Sequence, residues 1–137
     1  MKIVLDTNVL LISVSGKSMY HPIFKAILDE KINVCVTTDI VFEYEEILRK
    51  HMGIKATESV LRVIEDAPNI RWITKYYKWN LISVDVDDNK FTDCAIAGDV
   101  NYLVTDDKHF DILRSIEFPK VNTISAKDFL ELIKKIK

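Results

Sequence analysis

Short, unbroken apolar runs alternate along this chain with stretches in which apolar residues return every three or four positions. Ile3-Val4-Leu5 and Val34-Cys35-Val36 are rich in β-branched residues and carry no polar alternation, the pattern of strands buried on both faces of a parallel sheet. Tyr102-Leu103-Val104 has the same pattern. Helical spacing appears over 22–31 through Ile23, Ala26, Ile27 and Leu28, over 39–51 through Ile40, Val41, Tyr44, Ile47 and Leu48, and over 57–67 through Val60, Leu61 and Ile64. Thr38-Asp39 can cap the second of these helices, and Pro68-Asn69 halts the third before a strand near 70–74. Further on, the pattern predicts a helix over 90–99, a short helix begun by Asp106 or Asp107, a strand near 121–123 and a closing helix over 125–136. Strands alternating with helices imply an α/β fold in three layers around a mostly parallel sheet of about four or five strands. Residues 76–89 are the least regular stretch.

Composition narrows this picture to one compact unit. With 137 residues, 48% of them apolar and only three Gly and three Pro, the chain can fill one core. No repeat, low-complexity tract or linker-like stretch divides it, so a single domain over 1–137 is expected. The first apolar run is only three residues long before Asp6, which suits neither a signal peptide nor a membrane span. The two cysteines, Cys35 and Cys94, are far apart in apolar surroundings and read as reduced core thiols, which places the chain in the cytoplasm. A net charge of −2, from 19 basic and 21 acidic side chains, excludes polyanion binding through bulk basicity. Any nucleic-acid role has to be local.

Four acidic residues are candidates for chemistry. Asp6 follows the first strand directly and Asp107 stands just beyond the strand at 102–104, and ligands of parallel α/β sheets collect at the carboxyl ends of strands. Each could instead serve a turn or cap a helix, Asp6 with Thr7-Asn8 and Asp107 with Thr105-Asp106. Two strand-end carboxylates on one sheet can nevertheless face one crevice. Asp93 lies among Phe91, Cys94, Ala95, Ile96 and Ala97, near a buried helix face where a charge requires compensation. Glu43 shares its helix with Glu45 and Glu46 but falls near the edge of the apolar stripe. Converging carboxylates repel one another, raising their pKa values until a cation neutralises them, and oxygen-only ligation suits Mg²⁺ or Mn²⁺. The three histidines, His21, His51 and His109, are scattered and read as surface or helix-end residues.

These residues resemble the PIN-domain family, in the branch that forms the toxin components of toxin–antitoxin systems. The likeness spans nearly the whole chain. It rests on Asp6-Thr7-Asn8-Val9-Leu10 after the first strand, on 40–48 around Glu43, on 85–97 around Asp93 and on 102–110 around Asp107. The resemblance implies a three-layer PIN-like fold, with Asp6, Glu43 and Asp93 as the core acids, Asp107 as the fourth and Asp88 assisting from the loop. Relatives often carry Gly or Arg where Asp106 stands, so Asp106 and Asp107 both remain open for the fourth role. It further implies a Mg²⁺- or Mn²⁺-dependent endoribonuclease acting on RNA, a homodimer, and a small antitoxin protein as partner. Asp6 and Asp93 would ligate the metal directly, Glu43 would hold metal or orient water, and Asp107 would complete a second metal position. Thr7, Asn8 and Thr105 could fix the carboxylates through hydrogen bonds.

Two other enzyme classes also start from a strand ending in Asp. A haloacid-dehalogenase-type phosphatase needs a second Asp two residues on, where this chain has Asn8, and a receiver domain needs early paired acids and a late strand ending in Lys, neither of which is present. A PIN-like module that binds RNA or protein without cutting is the remaining alternative. The segment 71–79, with its aromatic and basic residues, could stack on single-stranded bases or seat a partner. The plainer reading puts Trp72 and Ile73 in the core of a strand and leaves the lysines in solvent.

Overall fold

The computed structural model describes residues 1–136. Five strands, β1 (Lys2–Leu5), β2 (Asn33–Val36), β3 (Ile70–Trp72), β4 (Tyr102–Val104) and β5 (Thr123–Ile124), form one sheet in the order β3-β2-β1-β4-β5. Every neighbouring pair is parallel. Five helices accompany it: α1 (Thr7–Val14), α2 (His21–Leu28), α3 (Thr38–Asp66), α4 (Asn89–Ala97) and α5 (Ala126–Lys134). Short 3₁₀ stretches at Val86–Asp88 and Lys108–Ser115 precede α4 and follow β4. The fold is therefore α/β with a wholly parallel sheet, and the expected strand near 121–123 pairs slightly later.

The chain steps from β1 to β2 to β3 in one direction and then returns to place β4 on the other side of β1. Because such crossovers are right-handed, the reversal puts the helices before and after it on opposite faces of the sheet. α1 packs on α2 and α3 on one face and α4 lies across β1, β2 and β4 on the other, while α5, which follows β5, returns to pack on α2. Ile3, Val4, Leu5, Cys35, Val36, Leu103 and Val104 are all buried in one contiguous core, which explains their continuous apolar runs. Both outer strands are short, three residues in β3 and two in β5. Trp72, expected inside the core, is instead 49% exposed, because β3 is an edge strand covered on only part of its surface.

The helical patterns over 39–51 and 57–67 form two helices, grouped as α3, that meet at Gly53. There the backbone adopts φ 80° and ψ 178°, a region essentially reserved for glycine. An added Cβ would meet nothing within 4 Å, so any penalty at this position is one of backbone conformation alone. Gly53→Ala should destabilise the fold by about 1–3 kcal/mol, read as a lowered urea midpoint at unchanged slope. A midpoint equal to wild type would mean that the bend relaxes into a straight helix.

No helix among the described residues is long and apolar enough to cross a membrane.

Candidate active site

β1 and β4 lie side by side where the strand order reverses, which is the position at which parallel α/β sheets open a crevice. Their register pairs Leu5 with Val104, so the next residues, Asp6 and Thr105, emerge together. The Asp6 amide donates to the Val104 carbonyl at 3.0 Å. The Thr105 hydroxyl donates to Asp6 Oδ2 at 2.7 Å and accepts the Asp107 amide at 3.0 Å, linking the residues that follow the two strands.

The geometry separates the capping reading of Asp6 from the functional one. Asp6 occupies the N-cap position of α1, yet its side chain makes no capping bond; only its carbonyl accepts, from the Val9 and Leu10 amides. The carboxylate is thus left for the crevice. It is 7% exposed, and its pKa is pushed up to about 6. Burial is the main cause, opposed by hydrogen bonds from Thr105 and the Thr7 backbone and reinforced by the charges of Asp88 and Asp107. Asp107 divides its role, because its Oδ1 caps the following 3₁₀ stretch by accepting the His109 amide at 2.9 Å. Asp106 accepts the Ala126 amide at 3.0 Å at the start of α5.

Glu43 comes from α3, which begins at the end of β2 beside β1. Its Oε2 accepts the Thr7 hydroxyl, and Lys90 Nζ lies 2.7 Å from its Oε1. Lys90 also reaches Asp87 at 2.9 Å; burial works against its charge, but these two partners hold its pKa above the ordinary value. The adjacent Tyr44 is buried and donates to the Leu5 carbonyl at 2.5 Å, tying α3 to the end of β1. Glu45 faces elsewhere and pairs with Arg49 at 3.2 Å.

Asp88 stands closer to this group than its loop position suggested. Its Oδ2 lies 3.0 Å from His109 Nδ1, which is also 3.6 Å from Asp107 Oδ1. Asp85, Asp88 and His109 can each bring one ligand-type atom within 4.8 Å of the others. Burial raises the pKa of Asp88, with Asp85 and Asp107 adding to the rise and His109 opposing it. The hydrogen bond to Asp88 in turn raises the pKa of His109. No spacing rule singles out this pair, because 21 positions separate the two residues.

Asp93 is in a different setting. It is buried, and its Oδ1 accepts the Trp79 amide at 3.2 Å. Burial raises its pKa, while the hydrogen bond from the Trp79 amide and the charges of Lys75 and Lys78 lower it and Asp39 raises it. With Asp39, Lys75, Lys78, Asp87 and Lys90 it lines a cavity of about 370 Å³. A smaller one, about 260 Å³, is lined by Asp6, Asn8, Val9, Ile12, Asp106 and Asp107.

A parallel α/β sheet with a buried carboxylate, Asp6, at its point of strand reversal opens a crevice that a ligand can enter. The family model described as PIN domain matches residues 2–109, and the chain belongs to that family. No curated protein matches it in sequence. Among solved structures, it is similar to VapBC2 from Rickettsia felis bound to a DNA fragment from its promoter, with a TM-score of 0.63 at 15% identity, covering 91% of this chain and 98% of that one. The PIN domain endonuclease Utp24 gives 0.53 at 17% identity over 90% and 84% of the two chains. The sarcin–ricin loop cleaving toxin VapC20 of Mycobacterium tuberculosis gives 0.58 at 12% identity over 82% and 94%. At these identities the likeness concerns the fold.

Proposed function

We propose that this chain is a single-domain, divalent-metal-dependent endoribonuclease that hydrolyses RNA phosphodiester bonds, and that it is the toxin of a toxin–antitoxin pair. The observation that carries this reading is the state of Asp6, a buried carboxyl raised to about 6 beside two further carboxylates, Asp88 and Asp107. An all-oxygen set under mutual repulsion suits a hard cation, so the residues present fit Mg²⁺ or Mn²⁺. Asp6 and Asp93 would hold it directly, Asp107 would complete a second metal position and Asp88 would assist from the loop. When bound, such a cation offsets the negative charge that develops on the phosphate as it is attacked.

The chain's own residues do the positioning. The Thr105 hydroxyl fixes the orientation of Asp6, and its acceptance of the Asp107 amide keeps the two carboxylates in register. Glu43, held by Thr7 and by Lys90, orients the attacking water. The Asp93 carboxylate also accepts the Trp79 amide, which ties the segment between β3 and α4 to the proposed metal site. Family membership and the likeness to VapBC2, VapC20 and Utp24 support a nuclease of this kind. By the same support, a homodimer and a small antitoxin partner are part of the proposal, as is work in the cytoplasm, where Cys35 and Cys94 stay as free thiols.

The test is cleavage of a fluorescently labelled RNA by purified protein as Mg²⁺ or Mn²⁺ is titrated in and then removed with EDTA. Cleavage should rise with metal to a plateau and stop on chelation. Protein that binds the RNA but never cuts it in saturating metal would instead be a binding module of the same fold.

A further inference from the structure

The irregular strap between β3 and α4 is the feature that the proposed chemistry leaves unused. It is not a loose loop. The Trp79 amide is held by Asp93, and the backbone of Ile82 exchanges two hydrogen bonds of 2.9 Å with the Asn89 side chain. Despite these anchors, Tyr76 is 93% exposed and Tyr77 64%, and Phe118, in the turn before β5, is 82% exposed. Tyr77 meets Trp79 edge-on with centroids 4.6 Å apart, and Trp79 meets Phe118 edge-on at 6.1 Å. A group of large rings fixed by a pinned backbone and left open to water marks a surface that another molecule covers.

The charges beside these rings indicate which molecule. Lys75 and Lys78 belong to the same strap, and both act on Asp93. Lys75 is paired with Asp39 at 2.7 Å, whereas Lys78 forms no ion pair among the described residues. The cavity lined by Lys75, Lys78 and Asp93 continues to Lys90, which touches Glu43, which accepts the hydroxyl of Thr7 next to Asp6. Asp93, the anchor of Trp79, is five positions along α4 from Asp88, a rise of roughly 7.5 Å. Open aromatic faces with a free ammonium group, leading to an acidic cleft, match an unpaired nucleic-acid strand, whose bases stack and whose phosphates carry the opposite charge.

We infer that Tyr77, Trp79 and Phe118 form a stacking platform for unpaired bases flanking the cleaved bond, with Lys78 meeting the backbone phosphate. This inference rests on the nuclease reading for its substrate and adds where the strand lies. Base contact of this kind makes the enzyme prefer single-stranded or looped RNA.

The test separates rings from phosphates. Full-length Asp6→Asn protein, which should bind without cutting, is titrated against a labelled single-stranded oligouridylate and against the same oligomer carrying abasic positions, with anisotropy as the readout. The ordinary oligomer should bind about fivefold or more tighter than the abasic one. Tyr77→Ala and Phe118→Ala should each remove most of that preference while Tyr77→Phe keeps it, and far-UV circular dichroism should show each variant folded. Equal binding of the two oligomers, or a preference untouched by either alanine, overturns the platform. An assembly change in the alanine variants with unchanged oligomer binding overturns it too, in favour of a protein contact. Wild-type protein that cuts RNA in metal but ignores the abasic change loses the platform and keeps the nuclease; protein that discriminates the oligomers but never cuts does the reverse.

Discussion

Asp6→Asn should slow RNA cleavage by about a thousandfold, because a lost ligand to the cation removes several kcal/mol of transition-state stabilisation and each 1.4 kcal/mol is tenfold in rate. Asp88→Asn and Glu43→Gln should be damaging on a similar scale. Glu45→Gln, on the same helix but paired with Arg49, should alter the rate by about twofold at most. Asp93→Asn gives the sharper comparison. Its carboxylate holds the strap as well as a proposed metal position, so its loss should weaken substrate binding in addition to slowing the chemical step. Single-turnover rates at saturating protein, with Mg²⁺ or Mn²⁺ present, measure these differences. Wild-type rates from Asp6→Asn would end the assignment, and an Asp93→Asn chemical step at the wild-type rate would leave Asp93 as an anchor of the strap alone.

Much of this arrangement is legible from residue order. Ile3-Val4-Leu5, Val34-Cys35-Val36 and Tyr102-Leu103-Val104 are buried between helical layers and therefore show unbroken apolar runs, which is why the parallel sheet can be read directly. Asp6 and Asp107 follow two of those runs, and strand-end placement is a property of sequence. The setting of Asp88 is not, since it depends on how residues 73–85 fold back, a stretch without periodicity whose path is fixed by Trp79 on Asp93 and Ile82 on Asn89. The same stretch hides His109 from sequence reading, because its partner Asp88 becomes adjacent only when α4 docks on β4. Trp72 misled for a different reason: local hydrophobicity cannot distinguish an edge strand from a central one. The break within α3 is legible too, because Gly53 falls in the gap that the two helical patterns, 39–51 and 57–67, leave between them.

Metal-free wild-type protein should lose stability as pH rises from about 4 to 6, relative to Asp6→Asn. The Asp6 carboxyl ionises near 3.8 in an ordinary setting and at about 6 in the folded chain, so folding favours its protonated form. Below pH 4 the group is protonated in both states and imposes no penalty. Between the two values the unfolded chain ionises first and gains stability, and above about 6 the full penalty stands, roughly 3 kcal/mol. Removing the charge should therefore raise the metal-free melting temperature at pH 7 by about 10 °C, with little change at pH 4. Adding Mn²⁺ at pH 7 should stabilise wild type and leave Asp6→Asn nearly unmoved, since only binding to the folded chain shifts the equilibrium. Urea midpoints from pH 4 to pH 7 in EDTA give the comparison. Parallel curves for the two proteins would mean that Asp6 is solvated in the folded chain and carries no such strain.

The abbreviated margins of the sheet bear on how the chain behaves in a crowded mixture. A long bare strand offers a row of unsatisfied amides and carbonyls on which a stranger's backbone can zip, the usual start of sheet-by-sheet aggregation. With three residues at one margin and two at the other, there is little row to grip. Any contact with another chain therefore has to be made by side chains on helices and loops, where shape and charge select the mate.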